Sequence, residues 1–129
     1  MTVKKILFID DDRAQREVLQ RFITELGYEV KVAESSREAL DILAKEQFPL
    51  VITDLSLPDM DGLDLCRHIK EKNSKTIVYA LSGYIAYFGE DKLNDYGFDG
   101  YLVKPVNYKV LHQAIEGAFE KIATFAKNE

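Results

Sequence analysis

The sequence predicts an α/β domain in which helices cover both faces of a parallel sheet. Short apolar segments alternate with helix-like segments along the chain, which is the pattern of consecutive βα units. Five such units account for nearly all of the 129 residues. The composition, with 47% hydrophobic and 30% charged residues, is that of a globular protein. We therefore expect residues 1–129 to form a single domain.

The first two units begin with strands of different character. Lys5–Ile9 is an apolar run typical of a buried strand, whereas Glu29–Ala33 is more polar and suits a sheet edge. Gly27 lies where the cap that ends the first helix belongs, and Ser35 with Glu38 matches a capping box that opens the second. The first helix has apolar residues at helical spacing, namely Val18, Leu19, Phe22, Ile23 and Leu26.

The remaining units follow the same plan. Strands are predicted at 50–53, 76–81 and 100–103. Asp61 is positioned to cap a third helix after a turn at 58–62, and Asn107 to cap the fifth. The fifth helix carries a long apolar stripe, formed by Val110, Leu111, Ala114, Ile115, Ala118, Phe119 and Ile122. Residues 86–96 contain Gly89 and have a poor apolar period, so we expect only a short or mobile fourth helix.

Composition also narrows the possible functions. The formal net charge is −5 and no basic run occurs, which argues against direct nucleic-acid binding. No apolar stretch approaches the roughly 20 residues that cross a bilayer, and no signal-peptide cleavage site follows the first strand. Cys66 is the single cysteine, so an internal disulfide is excluded and a reducing cytoplasm is expected.

Polar residues of chemical interest directly follow four of the predicted strands. They are Asp10-Asp11, Asp54, Ser82 and Lys104-Pro105. In a parallel sheet, the carboxyl ends of the strands lie side by side, and ligands bind there. Three carboxylates, a hydroxyl and an ammonium would then surround one small cavity. Such a set can hold a divalent cation such as Mg²⁺ and a phosphoryl group, with one carboxylate as the nucleophile.

Each patch also has a simpler explanation when it is taken alone. Asp12 with Gln15 can be an ordinary helix cap, Ser82 can belong to a turn, and a lone lysine is usually a solvated surface group. Asp54 is harder to explain in this way, because a carboxylate that abuts a buried strand is partly desolvated and needs a partner. His68 and His112 are expected on solvated helix faces.

Four motifs occur in order along the chain: Asp10-Asp11, Asp54 with Pro58 and Asp61-Gly62, Ser82-Gly83, and the run from Tyr101 to Lys104-Pro105. Together they resemble the signature of the response-regulator receiver domain of two-component signalling, including the single-domain receivers of chemotaxis. The resemblance runs from about residue 4 to residue 125. It implies a flavodoxin-like doubly wound (βα)5 fold, with a five-stranded parallel sheet in the order 2-1-3-4-5.

The resemblance also implies a role for each residue. Asp54 would accept the phosphoryl group, and Lys104 and Ser82 would assist the transfer. Asp10, Asp11, Asp54 and the main-chain carbonyl of Ser56 would bind Mg²⁺. Ser82 and the aromatic ring of Tyr101 would form the switch, and the peptide bond between Lys104 and Pro105 would be cis.

The implied partners are a histidine kinase or phosphotransfer protein and a downstream protein target. The target would bind the face made by the fourth helix, fifth strand and fifth helix, where seven of the fourteen aromatic residues fall between positions 84 and 108. We expect a monomer or weak dimer that has no output domain within 1–129 and binds neither nucleic acid nor membrane. The alternatives are a receiver-like interaction module that is never phosphorylated and an aspartate-nucleophile phosphatase. Ser56 stands where that phosphatase would need a second acid.

Overall fold

The computed structural model describes residues 4–83 and 89–127. Within them, five parallel strands form one sheet in the order β2-β1-β3-β4-β5. The strands are β1 (Lys5–Ile9), β2 (Glu29–Ala33), β3 (Leu50–Asp54), β4 (Ile77–Ser82) and β5 (Gly100–Val103). The helices are α1 (Arg13–Glu25), α2 (Ser36–Lys45), α3 (Gly62–Lys72), α4 (Glu90–Tyr96) and α5 (Tyr108–Lys127). The predicted fold class and strand order are confirmed.

Apolar side chains cover both faces of the sheet. Alternate residues of the central strands face opposite sides, so β1 sends Leu7 to one face and Phe8 to the other. One face packs against α2, α3 and α4, and the other packs against α1 and α5. The predicted edge position of β2 is confirmed, because it pairs only with β1 within the described sheet. None of the described helices is long and apolar enough to cross a bilayer.

Local sequence signals account for four helix starts and one helix end. The side chains of Asp12, Ser35 and Asp61 accept hydrogen bonds from the amides of Gln15, Glu38 and Asp64, respectively. The side chain of Asn107 accepts one from the amide of Val110. Gly27 follows α1 with φ of 95°, a left-handed conformation that glycine adopts without strain. The predicted caps are therefore confirmed at all five positions.

The structure differs from the expectations at several points. β3 extends one residue further than predicted, to Asp54, and β4 both starts and ends one residue later than predicted, at Ile77 and Ser82. Asp54 and Ser82 both still pair with a neighbouring strand. Val18 and Val110 fit the apolar spacing of their helices, yet both side chains are more than 40% exposed at the margin of the packed face. α4 begins at Glu90, and the earlier part of the predicted fourth helix, residues 86–88, lies outside the described residues.

Candidate functional site

The carboxyl end of β1 holds Asp10 and Asp11 in different environments. Asp10 is 1% exposed, and its backbone N–H donates to the carbonyl of Ala33 on the neighbouring strand at 3.1 Å. Its Oδ1 accepts from the Asp12 amide at 2.9 Å. Asp11 is exposed. The chain thus turns from strand to helix with one carboxylate buried and the next facing solvent.

Asp54 is the last residue of β3 and pairs with Leu81 of β4. Its side chain is mostly buried, and its Oδ1 accepts from the backbone amide of Ser56 at 3.2 Å. Gly62 lies against the backbone at this point. A Cβ atom there would lie 2.3 Å from the Asp54 carbonyl oxygen and 2.8 Å from the Leu55 Cα. Glycine is required because α3 starts in contact with the main chain that carries Asp54.

Lys104 follows β5 and reaches back across the sheet. Its Nζ lies 3.0 Å from Asp54 Oδ2 and 3.1 Å from Asp10 Oδ2. Its backbone N–H donates to the carbonyl of Ser82 at 3.0 Å, and its peptide bond with Pro105 is cis, as the resemblance implied. One ammonium therefore joins the ends of β1 and β3.

Burial and charge act in opposite directions on these groups. Burial raises the pKa of the Asp10 carboxyl above its usual range and outweighs the amide of Asp12 and the ammonium of Lys104, which lower it. For Lys104, burial alone would lower the pKa. The hydrogen bonds and charges of Asp54 and Asp10 together outweigh burial, so the pKa of Lys104 is raised. The ammonium stays charged, and the buried acid beside it would gain from further positive charge.

Three carboxylates meet at this end of the sheet. Asp10, Asp11 and Asp54 each offer one oxygen, and these oxygens all lie within 4.8 Å of one another. Hard cations such as Mg²⁺ take oxygen ligands and keep several waters, so two or three carboxylates are enough. The donor set and the partly desolvated Asp10 therefore fit a magnesium ion.

The other predicted site residues take different positions. Ser82 is 2% exposed, lies at the end of β4 and pairs with Val103. Ser56 is exposed in the loop after β3, with its amide on Asp54. Tyr101 is 40% exposed, and its hydroxyl donates to the Glu90 carboxylate. The structure thus brings Asp10, Asp11, Asp54 and Lys104 together. Ser82 is linked to this group by the hydrogen bond between its carbonyl and the backbone N–H of Lys104. The ring of Tyr101 lies outside the site.

Two supporting residues were not found from the sequence. Asp59 accepts from the backbone amides of Ser36 at 3.0 Å and Arg37 at 2.8 Å, so it ties the loop after Asp54 to the start of α2. Arg16 donates from Nη1 to the carbonyl of Asp10 at 2.8 Å. The sequence alone predicted only a turn around Asp59. The Asp59 contacts join parts of the chain whose proximity depends on the tertiary fold, whereas Arg16 is only six positions from Asp10 and its contact depends on the side-chain conformation.

The remaining candidates behave as expected. Cys66 is fully buried between α3 and the sheet, and burial raises the pKa of its thiol to about 12. His68 lies on an exposed face of α3. His112 is partly exposed on α5, with its Nε2 2.6 Å from Glu116.

The comparisons with known proteins agree with this geometry. A family model described as the response regulator receiver domain matches residues 6–116. The chain therefore belongs to the response regulator receiver domain family.

A curated relative and several solved structures are similar to the chain. Response regulator MprA of Mycolicibacterium vanbaalenii is 37% identical over 101 residues, which make up 78% of this chain and 44% of that protein. The chain thus spans less than half the length of the curated relatives it matches. A CheY-like receiver domain protein from Methanospirillum hungatei is 30% identical, with a TM-score of 0.88 over 99% of this chain and 100% of the other. Response regulator TrrA from Thermotoga maritima, solved in complex with Mg²⁺ and BeF, is 29% identical, with a TM-score of 0.82 over 90% of this chain and 99% of the other.

Proposed function

We propose that this receiver domain accepts a phosphoryl group on Asp54 and switches a partner-binding face in response. The observation that carries the proposal is the position of Lys104, whose ammonium contacts the carboxylates of both Asp54 and Asp10. Such an ammonium can neutralise charge on a phosphoryl group while leaving one Asp54 oxygen to attack. Asp54 is also confined by Gly62 and the amide of Ser56.

In the transfer step, a carboxylate oxygen of Asp54 attacks the phosphorus atom of a phosphohistidine or of a small acyl phosphate. The new O–P bond forms as the P–N bond, or the P–O bond of the acyl phosphate, breaks. The imidazole leaves with a proton from solvent, or the acyl group leaves as a carboxylate. Lys104 would stay with the transferred phosphoryl oxygens, and the buried hydroxyl of Ser82 would donate to one of them.

Asp10, Asp11 and Asp54 would hold Mg²⁺, together with the main-chain carbonyl of Ser56. When bound, the cation would offset the negative charge that the carboxylates and the phosphoryl group bring together. The TrrA structure in complex with Mg²⁺ and BeF supports this assignment by family. The raised pKa of Asp10 supports it from this chain, because a buried acid of that kind gains most from a cation.

Phosphorylation adds about −1.5 to −2 charges and three acceptor oxygens at the site. We propose that Ser82 then moves toward those oxygens and that the ring of Tyr101 turns inward to fill the space. Tyr101, Val103 and Val110 are exposed apolar side chains on β5 and α5, which supports a docking surface for a downstream protein on this face. Tyr84, Tyr87 and Phe88 lie outside the described residues, and Phe98 belongs to the core.

The phosphoryl donor would be a histidine kinase or phosphotransfer protein in the cytoplasm. A monomer or weak dimer that signals through a separate protein stays our prediction, as does the absence of an output domain from 1–129. On this proposal the protein is a signalling module that catalyses only its own phosphorylation and dephosphorylation.

The test is labelling with acetyl phosphate and Mg²⁺, followed by intact mass measurement and borohydride reduction, which converts a phosphorylated aspartate to homoserine. We expect one phosphoryl group per chain and homoserine at position 54. Asp54→Asn and chelation of Mg²⁺ should each abolish labelling, whereas Asp41→Asn, at an exposed site on α2, should not. Full labelling of Asp54→Asn would contradict the proposal. No labelling of the wild type would favour an interaction module, and rapid multiple turnover would favour a phosphatase.

A further inference from the structure

The hydroxyl of Tyr101 is hydrogen-bonded to an acidic residue of helix α4. Tyr101 lies on the edge strand β5, and its hydroxyl donates to the carboxylate of Glu90, the first residue of α4. The ring is 40% exposed, so packing alone does not fix its orientation. The hydrogen bond to Glu90 supplies a specific restraint in the outward position.

Glu90 is carried by a helix that packs against the core. Glu90 and Tyr101 both line a cavity of about 160 Å³ between α4 and β5, together with Leu93 and Phe98. Leu93 and Phe98 are almost fully buried and anchor α4 and the following loop to the core. The carboxylate of Glu90 is therefore presented from a helix whose apolar side is packed, rather than from a free loop.

We propose that Glu90 is a positioning residue that holds Tyr101 outward and thereby sets how much of the unphosphorylated receiver occupies its inactive arrangement. The inference rests on the proposed function, in which Tyr101 turns inward on activation. An inward ring cannot keep the bond to Glu90, so activation has to break it. By linkage, whatever favours the outward ring weakens binding of the phosphoryl group or its mimic by the same factor.

The size of this effect is limited by exposure. A hydrogen bond to a carboxylate at a partly exposed site contributes modestly, so we expect its loss to shift the equilibrium by about three- to tenfold. The same bond, followed by the charge of Glu90, raises the pKa of Tyr101, which agrees with a protonated hydroxyl held by the acid.

Glu90 also has a purely local explanation. Acidic residues favour the first turn of a helix because of the helix dipole, and Asp91 shares this turn. A role in helix formation would affect α4 whether or not Tyr101 has a hydroxyl. A role as a restraint depends on that hydroxyl. The two explanations therefore separate in a double-mutant cycle with Tyr101→Phe.

The experiment measures the affinity for beryllofluoride, a phosphoryl mimic, in the presence of Mg²⁺ by ¹⁹F NMR. The variants are Glu90→Ala, Glu90→Gln, Tyr101→Phe and the double variant Glu90→Ala/Tyr101→Phe, with Asp91→Asn as the matched control. We expect Glu90→Ala to bind about three- to tenfold more tightly than wild type. The affinity of Glu90→Gln for beryllofluoride should lie between those of wild type and Glu90→Ala, because the amide oxygen of glutamine still accepts a hydrogen bond.

Asp91→Asn should match wild type, and Glu90→Ala should have no effect once Tyr101 is phenylalanine. Unchanged affinity in Glu90→Ala and Glu90→Gln, or an equal effect in the Tyr101→Phe background, would overturn the inference while leaving Asp54 as the phosphoacceptor. Failure of the wild type to bind beryllofluoride would overturn the proposed function and the inference with it.

Discussion

The ammonium of Lys104 lies 3.0 Å from the Oδ2 atom of Asp54. A third group, the buried carboxylate of Asp10, lies 3.1 Å from the same nitrogen. One positive charge therefore offsets two negative ones at the ends of two neighbouring strands. The negative charge of the two carboxylates is therefore only partly neutralised. The free energy of unfolding should change whenever a charge at this site is added or removed.

Replacing Lys104 with alanine leaves Asp10 and Asp54 facing each other without a cation. Because the lysine side chain is 24% exposed, we expect the free energy of unfolding to fall by about 2 kcal/mol, below the range for fully buried pairs. Urea titration without Mg²⁺ measures the change. Lys109→Ala, at an exposed site on α5, should alter stability by less than about 0.5 kcal/mol. Equal stability of the two variants would contradict the ion pairs.

Asp10→Asn should have the opposite effect when Mg²⁺ is absent. The folded pKa of Asp10 is raised, so its contribution to stability is present below the ordinary aspartate pKa and is lost as pH rises through the folded value. At pH 7, above the ordinary aspartate pKa, Asp10 therefore destabilises the fold relative to a neutral side chain, and Asp10→Asn should stabilise it by on the order of 1 kcal/mol.

Thermal melts with and without Mg²⁺ measure this effect. The advantage of Asp10→Asn should shrink as pH falls toward the ordinary aspartate pKa of about 3.9, because the wild-type carboxyl then takes up its proton in the folded state first. Wild type should be stabilised by Mg²⁺, and Asp10→Asn should be stabilised much less. A variant that gains as much stability from Mg²⁺ as wild type would exclude Asp10 as a ligand.

Gly62→Ala should damage the site through the backbone. The added Cβ would meet the Asp54 carbonyl oxygen at 2.3 Å, so α3 or β3 has to shift, and we expect a loss of about 2–4 kcal/mol. Gly117→Ala is the matched control, since nothing lies within 4 Å of its Cβ. In the middle of α5, alanine should stabilise by about 0.5–1 kcal/mol. Denaturant titrations measure both changes. If Gly62→Ala and Gly117→Ala change the free energy of unfolding equally, Gly62 does not lie as close to the Asp54 main chain as described.

Asp59→Ala should loosen the loop that follows Asp54. Asp59 accepts amides at the start of α2, and loss of such a cap costs about 1 kcal/mol. Burial acts to raise the pKa of Asp59, but the amides of Arg37, Ser36 and Met60 outweigh it and lower the pKa. The stabilisation that the ionised Asp59 carboxylate gives the fold is therefore present above the ordinary aspartate pKa. It is lost as pH falls through the pKa of Asp59 in the folded state.

Urea titrations at pH 7 and at a pH below the ordinary aspartate pKa of about 3.9 measure this contribution. The gap between wild type and Asp59→Ala should narrow in acid. Asp41→Ala, which removes an exposed carboxylate from the same helix, should show no such gap at either pH. A constant gap for Asp59→Ala would mean that its carboxylate does not cap α2.

The sequence was sufficient for the features that depend on local pattern. The alternation of strand-like and helix-like segments located all five strands and the described helices, and short polar side chains marked the caps at Asp12, Ser35, Asp61 and Asn107. The gathering of Asp10, Asp54 and Lys104 was also predictable, because a parallel sheet brings its carboxyl ends together.

Features that depend on tertiary packing or on the conformation of a side chain were not predictable. Val18 fits the helical spacing of α1, yet the packed face ends before it reaches this residue, which only the tertiary arrangement decides. The contacts of Arg16 with Asp10, Asp59 with α2, and Glu90 with Tyr101 each need a rotamer and a neighbour that no periodicity encodes.

The two contacts of Lys104 span 94 and 50 positions of the chain. During synthesis, Asp10, Asp11 and Asp54 leave the ribosome well before Lys104 does. A partly made copy therefore carries the three carboxylates without the ammonium of Lys104. On the proposed function, the ability to accept a phosphoryl group would therefore develop only as β5 is completed and docks.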